Sequence, residues 1–116
     1  MTPQITYRGM PHSPAMDDRI RDLAAKLDDL HPKITRCHVV VDETDRHKSK
    51  GNLFNVHVDL HIPGNEIAAT HQAHTDAYVA ISQAFDVVTR QLEDAVRRQR
   101  GDVKSHREDR GDTAAP

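Results

Sequence analysis

Hydrophobic and polar residues recur along the chain with two different periods, and these periods predict its secondary structure. A helical spacing of three and four residues runs through residues 14–30 and again through residues 76–100, so each segment has one apolar stripe. A period of two runs through residues 4–8 and, most cleanly, through residues 53–62, where one face is apolar and the other polar. The pattern predicts two amphipathic helices and several half-buried strands.

Local signals predict where the first helix begins and ends. Ser13 followed by Pro14 is typical of a helix N-cap with proline in the first turn. His31-Pro32 predicts the end of the helix, because the residue before a proline avoids helical dihedral angles.

The second helix is predicted to be the longer one and to end in a basic segment. Thr75 or Asp76 is the expected N-cap, and Gly101 is the expected end of the helix. Beyond this glycine the hydrophobic period is lost. We therefore expect one folded domain over residues 1–105 and a disordered tail over residues 106–116.

The rest of the chain completes an α+β fold. Residues 34–43 are rich in β-branched side chains, as in an interior strand, and Pro63-Gly64-Asn65 predicts a tight turn before a short strand over residues 66–70. The order is β-α-β-β-β-α. We expect a two-layer sandwich: a four-stranded mixed sheet with one parallel crossover and both helices on the same face.

Composition narrows the class of protein. The chain of 116 residues suffices for one modest core, and with 3% aromatic residues that core must consist of aliphatic side chains. No apolar run is long enough to span a membrane, and the first residues lack the apolar stretch of a signal peptide. Cys37 is the single cysteine, so no intrachain disulfide forms, and a reducing cytoplasm is the expected location.

Charge is unevenly distributed although the formal net charge is only −2. Residues 97–107 carry five Arg or Lys against one Asp, and residues 46–50 form a second basic cluster. A polarised surface can bind a polyanion at near-zero net charge. We therefore expect the two clusters to form a single docking surface for folded RNA.

The sequence offers little chemistry beyond charge. Of the nine histidines, His57 and His61 share a strand face but lie roughly 13 Å apart, too far for one metal ion. His71 and His74, on a predicted loop, are the remaining candidate pair. Cys37 has no evident base and no glycine-rich phosphate loop is present, so we predict no enzyme, no cofactor and no small-molecule substrate.

A surface with few aromatic residues favours RNA recognition by shape and phosphate contacts over stacking on single strands. Histidine gains charge near pH 6.5, so RNA affinity should rise from pH 7.5 to pH 6 if histidines lie at the interface.

A motif in the second helix carries a family resemblance. Asp76-Ala77-Tyr78-Val79-Ala80-Ile81, followed by Arg90-Gln91-Leu92, resembles the D-x-Y-x-A-I…R-Q-L helix of the ribosome hibernation-promoting factors, also described as ribosome-associated translation inhibitors or sigma-54 modulation proteins. Ser13-Pro14-Ala15 and Ala25-Lys26-Leu27 resemble the family's first helix. The resemblance covers roughly residues 4–104 and agrees with the predicted element order.

The resemblance implies a non-enzymatic stress-response factor that binds rRNA in the decoding channel of the small ribosomal subunit and inhibits translation. It also implies a short form, without the C-terminal domain that long members use to pair ribosomes. Where the family often has lysines in the second helix, this chain has Val87 and Asp94. Together with the basic clusters, the resemblance gives these candidate RNA-binding residues: Lys26, Arg46, Lys48, Lys50, Arg90, Arg97, Arg98, Arg100 and Lys104.

Two other classes of function stay open at this point. The first is a protein-binding regulatory module that uses the exposed face of the sheet, and the second is metal binding through His71 and His74. A partner that is retained after ribonuclease treatment would favour the first, and stoichiometric zinc in untagged protein would favour the second.

Overall fold

The computed structural model has a four-stranded sheet with two helices on one face. The elements in chain order are β1 (Gln4–Arg8), α1 (Pro14–Leu30), β2 (Arg36–His47), β3 (Gly51–Ile62), β4 (Asn65–His74) and α2 (Ala77–Ala114). The structure describes the backbone of residues 1–47 and 51–114, and the side chains of residues 1–44, 52–64, 67 and 72–101. The predicted α+β fold and its element order are confirmed.

The strands lie in the spatial order β1-β2-β3-β4. β1 is parallel to β2, and β2, β3 and β4 are antiparallel to their neighbours, as the right-handed crossover and the two hairpins predict. Val39 pairs with Val58 on the covered face of the sheet, whereas the adjacent Val40 pairs with His57 on the outer face. This alternation gives the sheet one buried face and one outer face.

The core lies between the sheet and the two helices and is almost entirely aliphatic. Alternate residues of β2 and β3 contribute Val39, Val41, Val56, Val58 and Leu60, all essentially inaccessible to solvent. The helices place their apolar stripes on the same layer. From α1 these are Met16, Ile20, Ala24 and Leu27, and from α2 Ala77, Ala80, Ile81, Ala84, Phe85, Val88, Leu92 and Ala95.

Two glycines adopt backbone conformations that other residues rarely adopt. Gly64 has a φ of +81° and follows Pro63 in the turn between β3 and β4, as predicted. Gly9 follows β1 with a φ of +69°, and a Cβ there would lie 2.5 Å from the carbonyl oxygen of Glu43. The close approach of the two strands at this point therefore requires glycine.

The predicted ends of α1 are confirmed. The hydroxyl of Ser13 accepts a hydrogen bond from the backbone N–H of Met16 at 3.2 Å, and Pro14 occupies the first turn. At the other end the backbone N–H of His31 donates to the carbonyl of Leu27 at 2.9 Å, immediately before the proline that prevents continuation.

A polar network attaches α1 to β1. Asp17 is only 6% exposed and accepts hydrogen bonds from the Tyr7 hydroxyl at 2.7 Å and from the His12 ring at 2.5 Å, while Arg21 lies 3.9 Å away. The bond from Tyr7 is the largest cause that lowers the pKa of Asp17. Burial, and then the same bond, raises the pKa of Tyr7. The carboxylate thus stays charged and holds the first turn of α1 on the sheet.

The strands extend further than the sequence predicts. β2 continues to His47 and β3 begins at Gly51, so Arg46 lies in a strand and not in a loop, although its side chain is outside the described residues. Lys48 and Lys50 lie outside the described residues altogether. β4 continues to His74, beyond the predicted end at Thr70.

The observed length of β4 affects the hypothesis that His71 and His74 bind a metal ion together, because both were predicted to lie on a loop. Positions 71 and 74 belong to one strand, and positions three apart on a strand belong to opposite faces, which gives no support to a shared metal ion. Within the described residues, no group of three or more His, Cys, Asp or Glu side chains is arranged to hold a metal. His74 instead accepts a hydrogen bond at Nδ1 from the backbone N–H of Asp76, at 2.9 Å, just before α2.

Helix α2 begins as predicted but does not end at Gly101. Asp76 is the N-cap, with Oδ1 accepting from the N–H of Tyr78 at 2.9 Å. The helix then runs through Gly101 to Ala114, 38 residues in all, so the predicted end is wrong. Glycine costs a helix only about 1 kcal/mol, too little by itself to end a helix that is already formed over many residues. The domain boundary at residue 105 stays a prediction.

Among the described helices, none combines the length and apolarity that crossing a bilayer would need.

Candidate functional site

The two helices run in the same direction across the sheet. α1 returns from the end of β1 to the start of β2, and α2 returns along β4. α1 therefore ends, and α2 passes beyond the sheet, at the end of β3. Two hydrogen bonds place them there: Gln99 of α2 donates to the carbonyl of Pro63 at 3.2 Å, and the N–H of Thr35, after α1, donates to the carbonyl of His61 at 2.9 Å. The β2–β3 hairpin lies at the opposite end of the sheet.

A groove runs between α1 and α2 on the side facing away from the sheet. It consists of two cavities of about 380 Å³ and 240 Å³, which adjoin at Leu30 and Glu93, since both residues line both cavities. We call this feature the interhelical groove. Its apolar lining consists of Leu23, Leu27, Leu30, Phe85, Leu92 and Val96, and Ser82 and Thr89 are small polar residues on the α2 side.

Charged side chains line the interhelical groove. They are Arg19 and Lys26 from α1, and Asp86, Glu93, Arg97 and Arg100 from α2. All six are exposed to solvent. Four cations against two carboxylates leave the groove positive. The groove therefore combines an apolar floor with a cationic rim.

The structure brings together only part of the predicted RNA-binding set. Lys26, Arg97 and Arg100 line the groove, although they come from two different helices. Arg90 and Arg98 are exposed on α2 but line neither cavity, and the Nε of Arg98 donates to the carbonyl of Asp94 at 3.5 Å. The side chains of Arg46, Lys48, Lys50 and Lys104 are outside the described residues.

Sequence reasoning missed Arg19. A signal for it was present, because Arg19, Leu23, Lys26 and Leu30 follow one another at steps of four, three and four, the spacing of a single helix flank. Leu23 and Leu30 extend the apolar stripe of α1. Arg19 and Lys26 alternate with them along the same flank of the helix, so both basic residues lie at the edge of that stripe.

The expected joining of the two basic clusters is wrong for the part of the chain that the structure describes. His47 pairs with Gly51 at one end of the sheet, and Gln99 contacts Pro63 at the other. The length of β3, about 36 Å at roughly 3.3 Å per residue, separates these points. Reversal of the chain at each hairpin thus puts His47 and Gln99 at opposite ends of the sheet, and Arg97 and Arg100 instead line the interhelical groove together with Lys26 and Arg19.

The positions where lysines were expected from the resemblance lie away from the groove. Val87 and Asp94 line neither cavity. Asp94 accepts a hydrogen bond from Arg97 at 3.1 Å, which partly neutralises that arginine. Arg100 and Lys26 are therefore the stronger candidates for contact with an anion.

The outer face of the sheet differs in its chemistry. His38 pairs with Asp59 across β2 and β3, and its Nε2 lies 3.0 Å from the hydroxyl of Thr6 on β1. His57 is exposed beside them. Acidic and histidine side chains thus share this face.

Cys37 has no part in either surface. The residue is buried at 1% exposure on the covered face of the sheet, and burial raises the pKa of the thiol to about 12. A protonated, inaccessible thiol is inert as a nucleophile, as predicted.

Fold and groove together define a small two-layer α+β protein with a cation-lined groove on its helical face. The chain belongs to the family described as sigma 54 modulation protein / S30EA ribosomal protein, whose sequence profile matches residues 4–100. The resemblance found from the helix motif is therefore confirmed.

Individual relatives agree with this assignment. A ribosome hibernation promotion factor from Deinococcus radiodurans is 32% identical over 90 residues, which are 77% of this chain and 46% of that protein. The chain thus spans about half the length of this curated relative.

Solved structures share the fold. A ribosomal subunit interface protein from Coxiella burnetii has a TM-score of 0.69 at 19% identity, covering 82% of this chain and 97% of that one. The N-terminal domain of Protein Y from Thermus thermophilus has a TM-score of 0.64 at 19% identity, covering 77% and 91%.

Proposed function

We propose that this protein is a non-enzymatic, ribosome-associated translation inhibitor that binds small-subunit rRNA in the decoding channel and so acts as a hibernation factor in the cytoplasm. Family membership supports a role at the ribosome, as do relatives whose names refer to ribosome hibernation and to the ribosomal subunit interface. Inhibition then follows from occupancy, since bound protein fills space that mRNA and tRNA need.

The observation that carries this proposal is the convergence of basic side chains on the interhelical groove. Lys26 of α1 and Arg100 of α2 are 74 residues apart in sequence, yet they line two parts of one groove. Folding thus gathers charge that is dispersed along a chain of net charge −2. A positive groove on one face suits the phosphate backbone of folded RNA, which basic side chains contact without reading sequence.

Binding driven by phosphate contacts has a characteristic salt dependence. Each neutralised phosphate releases counterions, so the logarithm of the affinity falls with the logarithm of salt concentration, by roughly 0.7 to 0.9 per contact. Three or four groove cations in contact with phosphates would give a slope of about −2 to −4.

The test is co-sedimentation of the untagged protein with purified small ribosomal subunits over a range of salt. We expect stoichiometric binding at low salt, loss of binding as salt rises, and exclusion of the protein from subunits preloaded with mRNA and tRNA. Salt-independent sedimentation would contradict phosphate contacts. Simultaneous binding with mRNA and tRNA would contradict the decoding channel.

A protein-binding regulatory module is the second candidate function. The outer face of the sheet favours it, because acids such as Asp59 beside His38 and His57 suit a protein partner better than a polyanion. A partner captured by the protein and retained after complete ribonuclease digestion would support this function, and loss of all partners would support RNA binding.

A further inference from the structure

We propose that the interhelical groove holds one unstacked nucleotide of the bound RNA, with its base against the apolar floor and its flanking phosphates on the cationic rim. This inference rests on the proposed function and specifies how RNA is held at the same site. Phosphate contacts alone would not require a pocket for a base, so this inference adds a base-recognition pocket to the proposed RNA-binding surface.

The first argument is the size and lining of the groove. The larger of its two adjoining cavities measures about 380 Å³, within the range of roughly 300–1,000 Å³ found for pockets that bury small ligands, and the smaller measures about 240 Å³. Leu23, Leu30 and Val96 extend the core stripe into this space without being fully buried. A phosphate backbone gains nothing from such a surface, whereas the faces of a base lose contact with water when they cover it.

The second argument is the pair of carboxylates. Asp86 and Glu93 line the groove among the cations, and Glu93 lies where the two cavities meet. Carboxylates repel phosphate, so they disfavour a groove that is lined by the RNA backbone alone. They are, however, good acceptors for the amino and imino groups of bases, as in the pairing of Asp or Glu with the cytosine amino group. The arrangement favours a base with an exocyclic amino group, which cytosine, guanine and adenine have and uracil lacks.

The third argument is that α2 lines the groove partly with small residues, which leave space between the two helices. Ser82 and Thr89 line it at positions where larger side chains would close the space between the helices. The hydroxyl of Thr89 donates to the carbonyl of Phe85 at 2.6 Å, so it is already satisfied within its own helix. Position 89 can therefore be enlarged without leaving a buried polar partner unpaired.

The first experiment fills the groove without changing its charge. In Thr89→Leu we expect the affinity for purified small subunits to fall on the order of tenfold, the loss of one base contact, with the slope against salt unchanged because every phosphate contact remains. Ser82→Leu is a second filling variant. Gln83→Leu is the matched control, since it adds the same side chain at an exposed position that does not line the groove, and it should bind as the unaltered protein does.

Wild-type affinity in both filled variants, each shown to be folded by its thermal melt, would overturn the nucleotide pocket while leaving the proposed function intact. Failure of the unaltered protein to bind small subunits would instead overturn the proposed function.

A second experiment tests the pocket without the ribosome. The isotope-labelled protein is titrated with cytidine, guanosine and uridine 5′-monophosphates and with inorganic phosphate, and amide shifts are followed by NMR. We expect the amides of Ser82, Thr89 and Glu93 to move more with the cytidine and guanosine nucleotides than with uridine, and not with phosphate. Glu93→Gln should remove that preference. Equal shifts with phosphate alone would show that the groove binds anions and no base.

Discussion

The interhelical groove and the outer face of the sheet lie on opposite sides of one small protein, and they carry different kinds of charge. The groove is lined by Arg19, Lys26, Arg97 and Arg100, whose side-chain types stay positive throughout the physiological pH range. The outer face presents His38 and His57 close to Asp59. The outer face therefore combines histidines with a carboxylate where the groove has lysine and arginines.

This difference indicates which surface an RNA partner would use. A polyanion gains from fixed positive charge, and an apolar floor adds a reason for it to bind at one place. On the described part of the outer face, Val40 and Leu53 are the apolar residues of β2 and β3, and the other apolar residues of these strands point toward the core. Variants that alter one surface and spare the other test this comparison directly.

Reversal of the groove charge should have the largest effect. In Lys26→Glu combined with Arg97→Glu and Arg100→Glu, we expect the affinity for small ribosomal subunits to fall on the order of 100-fold or more at 0.1 M salt, because attraction to phosphate becomes repulsion. Equilibrium sedimentation with small ribosomal subunits measures this loss of affinity.

The matched control makes the same change of charge elsewhere. Arg8, Arg36 and Arg98 are exposed arginines that line neither cavity, and their triple replacement by Glu should cost less than about tenfold. A control that loses more affinity than the groove variant would show that the interface lies outside the groove.

The next largest effect concerns stability and not binding. Asp17→Asn should lower the free energy of unfolding by about 1–3 kcal/mol at pH 7, because it weakens hydrogen bonds to a buried charged group. The pKa of Asp17 is lowered in the folded protein, so its stabilisation is present above its usual value of 3.8 and is lost as pH falls through the folded value. Denaturant melts should show the two proteins converging below pH 4.

Because Asp17 faces Tyr7 and not the groove, the folded Asp17→Asn variant should retain its affinity for small subunits. Loss of affinity in the folded variant would show that the network around Asp17, and not only the groove, takes part in binding.

A smaller effect is expected from removing one groove charge. Lys26→Gln should weaken binding several-fold at 0.1 M salt and make the salt slope less steep by about one, the contribution of one phosphate contact. Arg98→Gln is the single-site comparison, and its slope should match that of the unaltered protein. Identical slopes for both variants would exclude Lys26 from the interface.

The smallest effect should come from pH. Of the described histidines, His31 lines the groove, whereas His38, His57 and His61 lie on the outer face. Binding through the groove should therefore change less than about threefold between pH 7.5 and pH 6, in fluorescence titrations with small subunits. A tenfold rise on acidification would favour the face that carries the histidines.

Much of the fold could be predicted from sequence because its signals are local. The cap formed by Ser13 and Pro14 and the alternation from Phe54 to Ile62 each depend on neighbouring residues, and both are confirmed. The ends of β4 and α2 were predicted less well. Pairing with β3 carries β4 on to His74, and the cost of Gly101 is too small to end a helix of this length.

The candidate site was harder to predict because it depends on tertiary geometry. The resemblance pointed to Lys26 and the basic cluster to Arg100, and periodicity put them on two helices, but it contains no information on which flanks of the helices face each other. Which flanks face each other depends on the two helices running in the same direction over the sheet. The same geometry separates Arg98 from Arg97 and Arg100, although the three are nearly adjacent in sequence.

The length of α2 has a consequence for how the protein behaves in solution. At 38 residues the helix is about 57 Å long, at roughly 1.5 Å per residue, and exceeds the strands beneath it. The molecule measures 65 × 28 × 16 Å, with a radius of gyration of 18.1 Å. A compact chain of this size would have about 13 Å. A single copy should therefore elute early from a sizing column, at a position that a calibration with spherical standards would assign to a dimer.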